Sequence, residues 1–173
     1  MAKIKWMGIL LIVSDLEKSK AFYHDVLGQE FEMDTPEMVS FGAFPAVQVS
    51  LSPASYFEQV SEDRWLTVNM KTAAKTNNFQ LYFEVDDLEY YAAKIKATPG
   101  IELIYDIGIN FAKETNFEQR GIRFYDFDGH LIEVAESLPF LAKRLVKQGL
   151  TVEEIAKQFG DSVEQIEELL LFD

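Results

Sequence analysis

The sequence contains no cysteine. That removes disulfides, thiolate metal sites and cysteine nucleophiles together, and it suits a reducing cytoplasm. Cations are scarce as well: 16 Lys plus Arg stand against 29 Asp plus Glu, a formal charge of −13. Such an excess repels phosphate backbones and anionic lipid surfaces, and no local basic patch offsets it, so neither nucleic acid nor a membrane is expected as a partner. Long apolar runs are missing too, since no stretch approaches the roughly 18–20 residues of a membrane-spanning helix. Lys3 and Lys5 ahead of Trp6–Val13 imitate a signal peptide, but that run is short and Ser14-Asp15-Leu16-Glu17 follows it as a helix cap. The expectation is a soluble, cytoplasmic protein.

What is present is material for a core. Hydrophobic residues make up 48% and aromatics 13% of the 173 residues, against 26% charged. A chain of this length and composition forms one compact domain with room for a short appendage.

An internal repeat organises it. Shifting the sequence by 72 positions lays Val13-Ser14-Asp15-Leu16-Glu17 on Val85-Asp86-Asp87-Leu88-Glu89, and the match continues through Ala21/Ala93, Gly28/Gly100 and Glu30/Glu102. In the second copy Phe79, Leu81, Phe83 and Val85 alternate with Gln80, Tyr82 and Glu84, the period of a strand with one apolar face. Asp86 or Asp87 caps a helix that stops before Pro99-Gly100. Extended stretches are predicted at Ile101–Asp106, Phe117–Tyr125 and His130–Glu136, the last two joined by the turn Asp126-Phe127-Asp128-Gly129. The first copy predicts the same order: a strand over Ile4–Val13, a helix over Leu16–Leu27, then strands over Gln29–Asp34, Met38–Ala43 and Ala46–Leu51. The predicted fold is therefore α+β: two βαβββ modules, about 4–52 and 79–137, in a domain spanning 1–137. Each sheet covers its apolar face with its own helix, leaving the other faces to curve as a mixed-sheet cup. Pro53–Asn78 connects the modules, and Phe44 and Trp65 read as core or loop anchors.

The stretches VSDLEKSKAFYHDVLG and FYDFDGHLIEV, in this order and on paired modules, resemble the glyoxalase/bleomycin-resistance/extradiol-dioxygenase superfamily, the vicinal oxygen chelate proteins, over about residues 4–137. The resemblance implies the fold; that fold hosts isomerases, dioxygenases, fosfomycin-modifying enzymes and metal-free drug-binding proteins, so function must come from the site. In metal-using members a ligand lies seven residues before the Asp that precedes each helix, and another lies in each closing strand. Those positions are Gly8 and Gln80, with Glu133 closing the second module and Gln48 or Ser50 closing the first. A set with one carboxylate and no histidine departs from what divalent cations select. No metal is therefore expected as a cofactor, the alternative being a divalent cation at Gln80 and Glu133, with Glu84 or Ser50 as supplements.

Gln48, Gln80, Tyr82, Arg123 and Glu133 are the expected ligand-binding residues, with Glu133 as the catalytic candidate. Together they would orient a small polar-aromatic molecule. Arg123 admits two readings, a ligand contact or an ion pair with a neighbouring acid. His24, on the first helix, and His130, after the Asp128-Gly129 turn, read as structural or exposed. The reading is a small-molecule-binding or lyase/isomerase-type protein with a degenerate or absent metal site. The alternatives are a metal-dependent glyoxalase-like enzyme and a regulatory module acting through the tail.

That tail, residues 138–173, carries three helical signals: Pro139 at one start and Gly149 at its end, then the capping boxes Thr151–Glu154 and Ser162–Gln165 with Gly160 between them. LTVEEIAKQFGDSVEQIEELL is similar to the helix-turn-helix of many bacterial regulators. Four basic residues against seven acidic ones, with Glu164, Glu167 and Glu168 on the helix that would read bases, count against DNA. Ile155, Phe159, Ile166, Leu169 and Leu170 are expected to pack the tail on itself, on the cup, or on a second copy in a homodimer.

Overall fold

The computed structural model describes residues 8–43, 47–56, 75–76, 78–109 and 119–172. It is an α+β structure with two four-stranded mixed sheets, ordered β1-β4-β3-β2 and β5-β8-β7-β6. The first sheet comprises β1 (Gly8–Val13), β2 (Phe31–Asp34), β3 (Val39–Ala43) and β4 (Val47–Pro53). The second comprises β5 (Gln80–Val85), β6 (Glu102–Ile109), β7 (Arg120–Tyr125) and β8 (Leu131–Glu136). In each, the first strand of the module pairs parallel with the last, and the remaining pairs are antiparallel. The chain forms two compact units: Met1–Phe79 with Asp126–His130, and Gln80–Tyr125 with Leu131–Asp173. Phe44, Trp65 and most of the predicted connection lie outside the described residues, as do the first residues of the strand predicted from Ile4.

In the first unit Asp15 caps α1 (Leu16–Ala21) by accepting from the backbone N–H of Lys18. The predicted single helix then widens into a π-helical turn over Phe22–Val26. The widening is what lets consecutive Phe22 and Tyr23 both be buried, at 2% and 0% exposure, while His24 and Asp25 face solvent. Tyr23 donates its hydroxyl to Asp126 Oδ2 at 3.1 Å. Asp126 Oδ1 in turn accepts from the N–H groups of Asp128 and His130, which holds the DFDG turn closed. His130, read as structural or exposed, is buried with Nδ1 2.8 Å from Asp126 Oδ2. His24 pairs with Asp25 on the surface.

The second unit repeats the plan. Asp87 caps α2 (Leu88–Ala97), whose Leu88, Ala92 and Ile95 are buried together with Leu81, Ile122, Phe124, Ile132 and Val134. One charge sits among these apolar side chains. Glu136, fully buried, accepts from Arg120 of β7 and from Arg144 of the tail, and Arg120 reaches Glu89 with its other arm.

Ser137 caps α3 (Leu138–Lys147), with Pro139 in its first turn; α4 (Val152–Phe159) and α5 (Val163–Leu171) follow with both capping boxes formed. Gly160 ends α4 at φ 74°. Leu141, Ala142, Leu145, Ile155, Ala156 and Ile166 form a buried cluster of the tail's own, so the three helices do pack on one another.

Candidate functional site

The two-residue period of β5 sends Leu81, Phe83 and Val85 to the helix-covered side of the second sheet and Gln80, Tyr82 and Glu84 to the other. On that second face the register aligns Tyr105 with Arg123, Arg123 with Glu133 and Glu133 with Tyr82. One cross-strand row, Tyr105–Arg123–Glu133–Tyr82, therefore crosses all four strands with an ion pair between two tyrosines.

The pair is tight. Glu133, only 2% exposed, accepts at Oε2 from Arg123 Nε at 2.7 Å and from Gln80 Nε2 at 2.8 Å, and Arg123 Nη2 stands 2.6 Å from the same oxygen. A buried carboxylate needs such compensation, because an uncompensated one is expelled or neutralised. Arg123 keeps 37% of its side chain exposed, and its Cζ lies 5.6 Å from the Tyr105 ring centroid. The ion pair, one of the two readings open for Arg123, is formed.

The tyrosines are fixed as phenols. Burial, then the charge of Glu84, pushes the Tyr82 hydroxyl far above its ordinary range. It donates to Glu84 Oε1 at 3.0 Å and accepts from Gln119 Nε2 at 2.7 Å. Tyr105 is raised by burial, with Arg123 pulling the other way. Gln119 escaped the sequence reading. It is buried, and also donates to the Glu136 carbonyl at 2.7 Å; an isolated Gln just before a strand carries no pattern that would have marked it.

Gln80, Tyr82, Arg123 and Glu133 are thus brought together, while Gln48 belongs to the first unit. There its Nε2 donates to Ser40 Oγ at 3.0 Å and to Glu32 Oε2 at 3.3 Å. Comparing registers identifies the true counterparts of the row. Gly8 corresponds to Gln80 through the repeat, Leu10 to Tyr82, and Leu10 pairs with Ser50 as Tyr82 pairs with Glu133. Ser40, opposite Ser50, corresponds to Arg123. Of the two residues left open by alternation, Ser50 rather than Gln48 holds the position in the first unit equivalent to that of Glu133 in the second. The first unit accordingly offers glycine, leucine and two serines where the second offers an amide, a phenol, a guanidinium and a carboxylate.

This donor set does not fit a divalent cation. A guanidinium already holds the one carboxylate, Gln80 presents its amide N–H to that same oxygen, and Glu84 is engaged by Tyr82. Among the described residues no cluster of three or more His, Asp or Glu could hold a metal ion.

A family model described as a glyoxalase-like domain matches residues 6–139. The chain belongs to the glyoxalase-like family. Among solved structures, a protein of unknown function from Agrobacterium tumefaciens str. C58 is 30% identical, with a TM-score of 0.60 over 80% of this chain and 98% of that one. A hypothetical protein from S. aureus is 21% identical, with a TM-score of 0.57 over 79% and 95% of the two chains. The fosfomycin resistance protein FosX from Listeria monocytogenes, solved with Mn(II) and sulfate, is also 21% identical, with a TM-score of 0.52 over 84% and 98%. The latter two share the glyoxalase-like fold with this chain. A search of curated proteins found no match. No helix among the described residues is long and apolar enough to cross a membrane.

Proposed function

We propose that this glyoxalase-like protein binds a small polar-aromatic molecule on the open face of its second unit, without a divalent metal. The observation that carries the reading is Arg123 Nη2 at 2.6 Å from Glu133 Oε2: the position that the family resemblance assigns to a metal-binding carboxylate is neutralised by a side-chain cation. Gln80 helps hold that carboxylate, and Tyr82 and Arg123 face the ligand, while proton transfer at Glu133 belongs to the metal-dependent alternative. The reading places the protein in the cytoplasm, with its tail as a structural layer or homodimer surface and not as a DNA reader.

Calorimetric titration of the metal-stripped protein with Ni²⁺, Zn²⁺, Mn²⁺ and Fe²⁺ tests this. No site tighter than about 10 μM is expected, because the cation's place is taken. One stoichiometric site of micromolar or better affinity that Glu133→Gln abolishes would instead establish the metal-dependent enzyme at Gln80 and Glu133.

A further inference from the structure

Resting on the metal-free reading above, we infer that the ligand is a planar carboxylate or an equivalent conjugated oxyanion, gripped by the outer edge of the Arg123 guanidinium. Arg123 turns its Nε and Nη2 toward Glu133. A guanidinium is a flat fork with two bidentate edges. With the Nε/Nη2 edge committed inward, the Nη1/Nη2 edge remains, and no partner for Nη1 is found among the described residues. Exposure of 37% leaves that edge within reach of solvent and ligand. Glu133, being buried and itself held by Gln80, fixes the plane of the fork, so little orientational freedom is lost when an anion docks.

The rest of the row selects the body of the ligand. Tyr105 lies beside Arg123 and the Tyr82 phenol, 46% exposed, stands across Glu133 from it. A ring beside the guanidinium and a second beyond Glu133 suit a flat, conjugated anion that stacks on the Tyr105 side, and suit a compact tetrahedral anion poorly. Both rings stay neutral at physiological pH, since burial raises both phenols, so neither repels the anion. Glu84 adds a negative charge beyond Tyr82, which favours a ligand whose charge is confined to one end.

The test titrates benzoate, benzamide, cyclohexanecarboxylate and inorganic phosphate into the isotope-labelled full chain, with the Arg123 Nε–H resonance as readout. Benzoate is expected to bind saturably and shift that resonance, with each of the other three at least about tenfold weaker, one bidentate contact or one stacking face being worth roughly that factor. Arg123→Lys has no such resonance, so its binding and that of the double variant below are read from broadening of benzoate's own proton signals; it should weaken benzoate by about tenfold, since an ammonium cannot reproduce the fork. Because Arg123→Met alone would orphan Glu133, the double variant Arg123→Met/Glu133→Gln removes both charges. Folded by circular dichroism, it should lose benzoate altogether. Equal affinity for benzoate and benzamide, tighter binding of phosphate, full benzoate binding by the folded double variant, or no shift at about 10 mM benzoate would each overturn the inference. A tight cation site in the calorimetric titration would sink the metal-free reading itself, whereas failure of benzoate with no cation bound would sink the carboxylate class alone.

Discussion

At the scale of single residues, the two buried glutamates of the second unit make opposite demands. Glu133 is held on the open face by groups from its own sheet, and Glu136 on the covered face by Arg120 and by Arg144 of the tail. Breaking a buried ion pair from one side strands the remaining charges, so Glu136→Ala should lose about 3–5 kcal/mol in urea denaturation. A loss below about 1 kcal/mol would mean that the cluster is solvated. The phenols give a pH signature with a definite sign. Tyr23 and Tyr82 are both raised, by burial first and then by Asp126 and Glu84 respectively. A group whose folded pKa lies above its unfolded value contributes stability that is present below about pH 10 and is lost as the pH climbs toward the folded value. Absorbance titration should therefore show these two tyrosines ionising above the ordinary phenol range of about 10, with unfolding accelerating as they do.

At the scale of elements, β3 carries the tightest backbone constraint described. Gly42 sits at φ 135°, and a Cβ added there would lie 2.3 Å from the Val47 carbonyl oxygen of the adjacent strand. Gly42→Ala should lose at least about 2 kcal/mol, from left-handed backbone strain plus a contact that backbone cannot yield. A thermal melt unchanged within a degree or two would refute it. The helices are the part most legible beforehand, because caps and stop signals are local: Asp87, Thr151, Ser162 and Gly160 all do what their spacing predicts. The π-helical turn at Phe22–Val26 was not legible. Within it Tyr23 bonds to Asp126, more than a hundred residues away in sequence, and no local pattern encodes that bond.

At the scale of the molecule, the acidic charge argues against a DNA-reading tail. Its last helix has the length and caps of a recognition helix, yet Glu164, Glu167 and Glu168 are exposed on it. Fluorescence anisotropy with a labelled duplex at 0.1 M salt should show no binding at about 10 μM protein, where ordinary non-specific binders already respond. A response there would restore the regulator reading. The apolar positions of the tail instead close a core among its three helices, and Arg144 ties α3 to Glu136 of β8.

The sequence alone determined the repeat, the strand and helix order, the caps and the family, because each of these is written in local periodicity or in residues a fixed distance apart. It could not say that Arg123 neutralises Glu133, that Gln119 supports Tyr82, or that Ser50 rather than Gln48 answers Glu133. Those facts depend on strand register, which joins residues from four separate stretches of chain, and alternation fixes the face of a residue without fixing its neighbour across the ladder. Only the tertiary structure, by pairing β5 with β8 and β8 with β7, turned a list of polar residues into one row with a committed carboxylate and an available guanidinium edge.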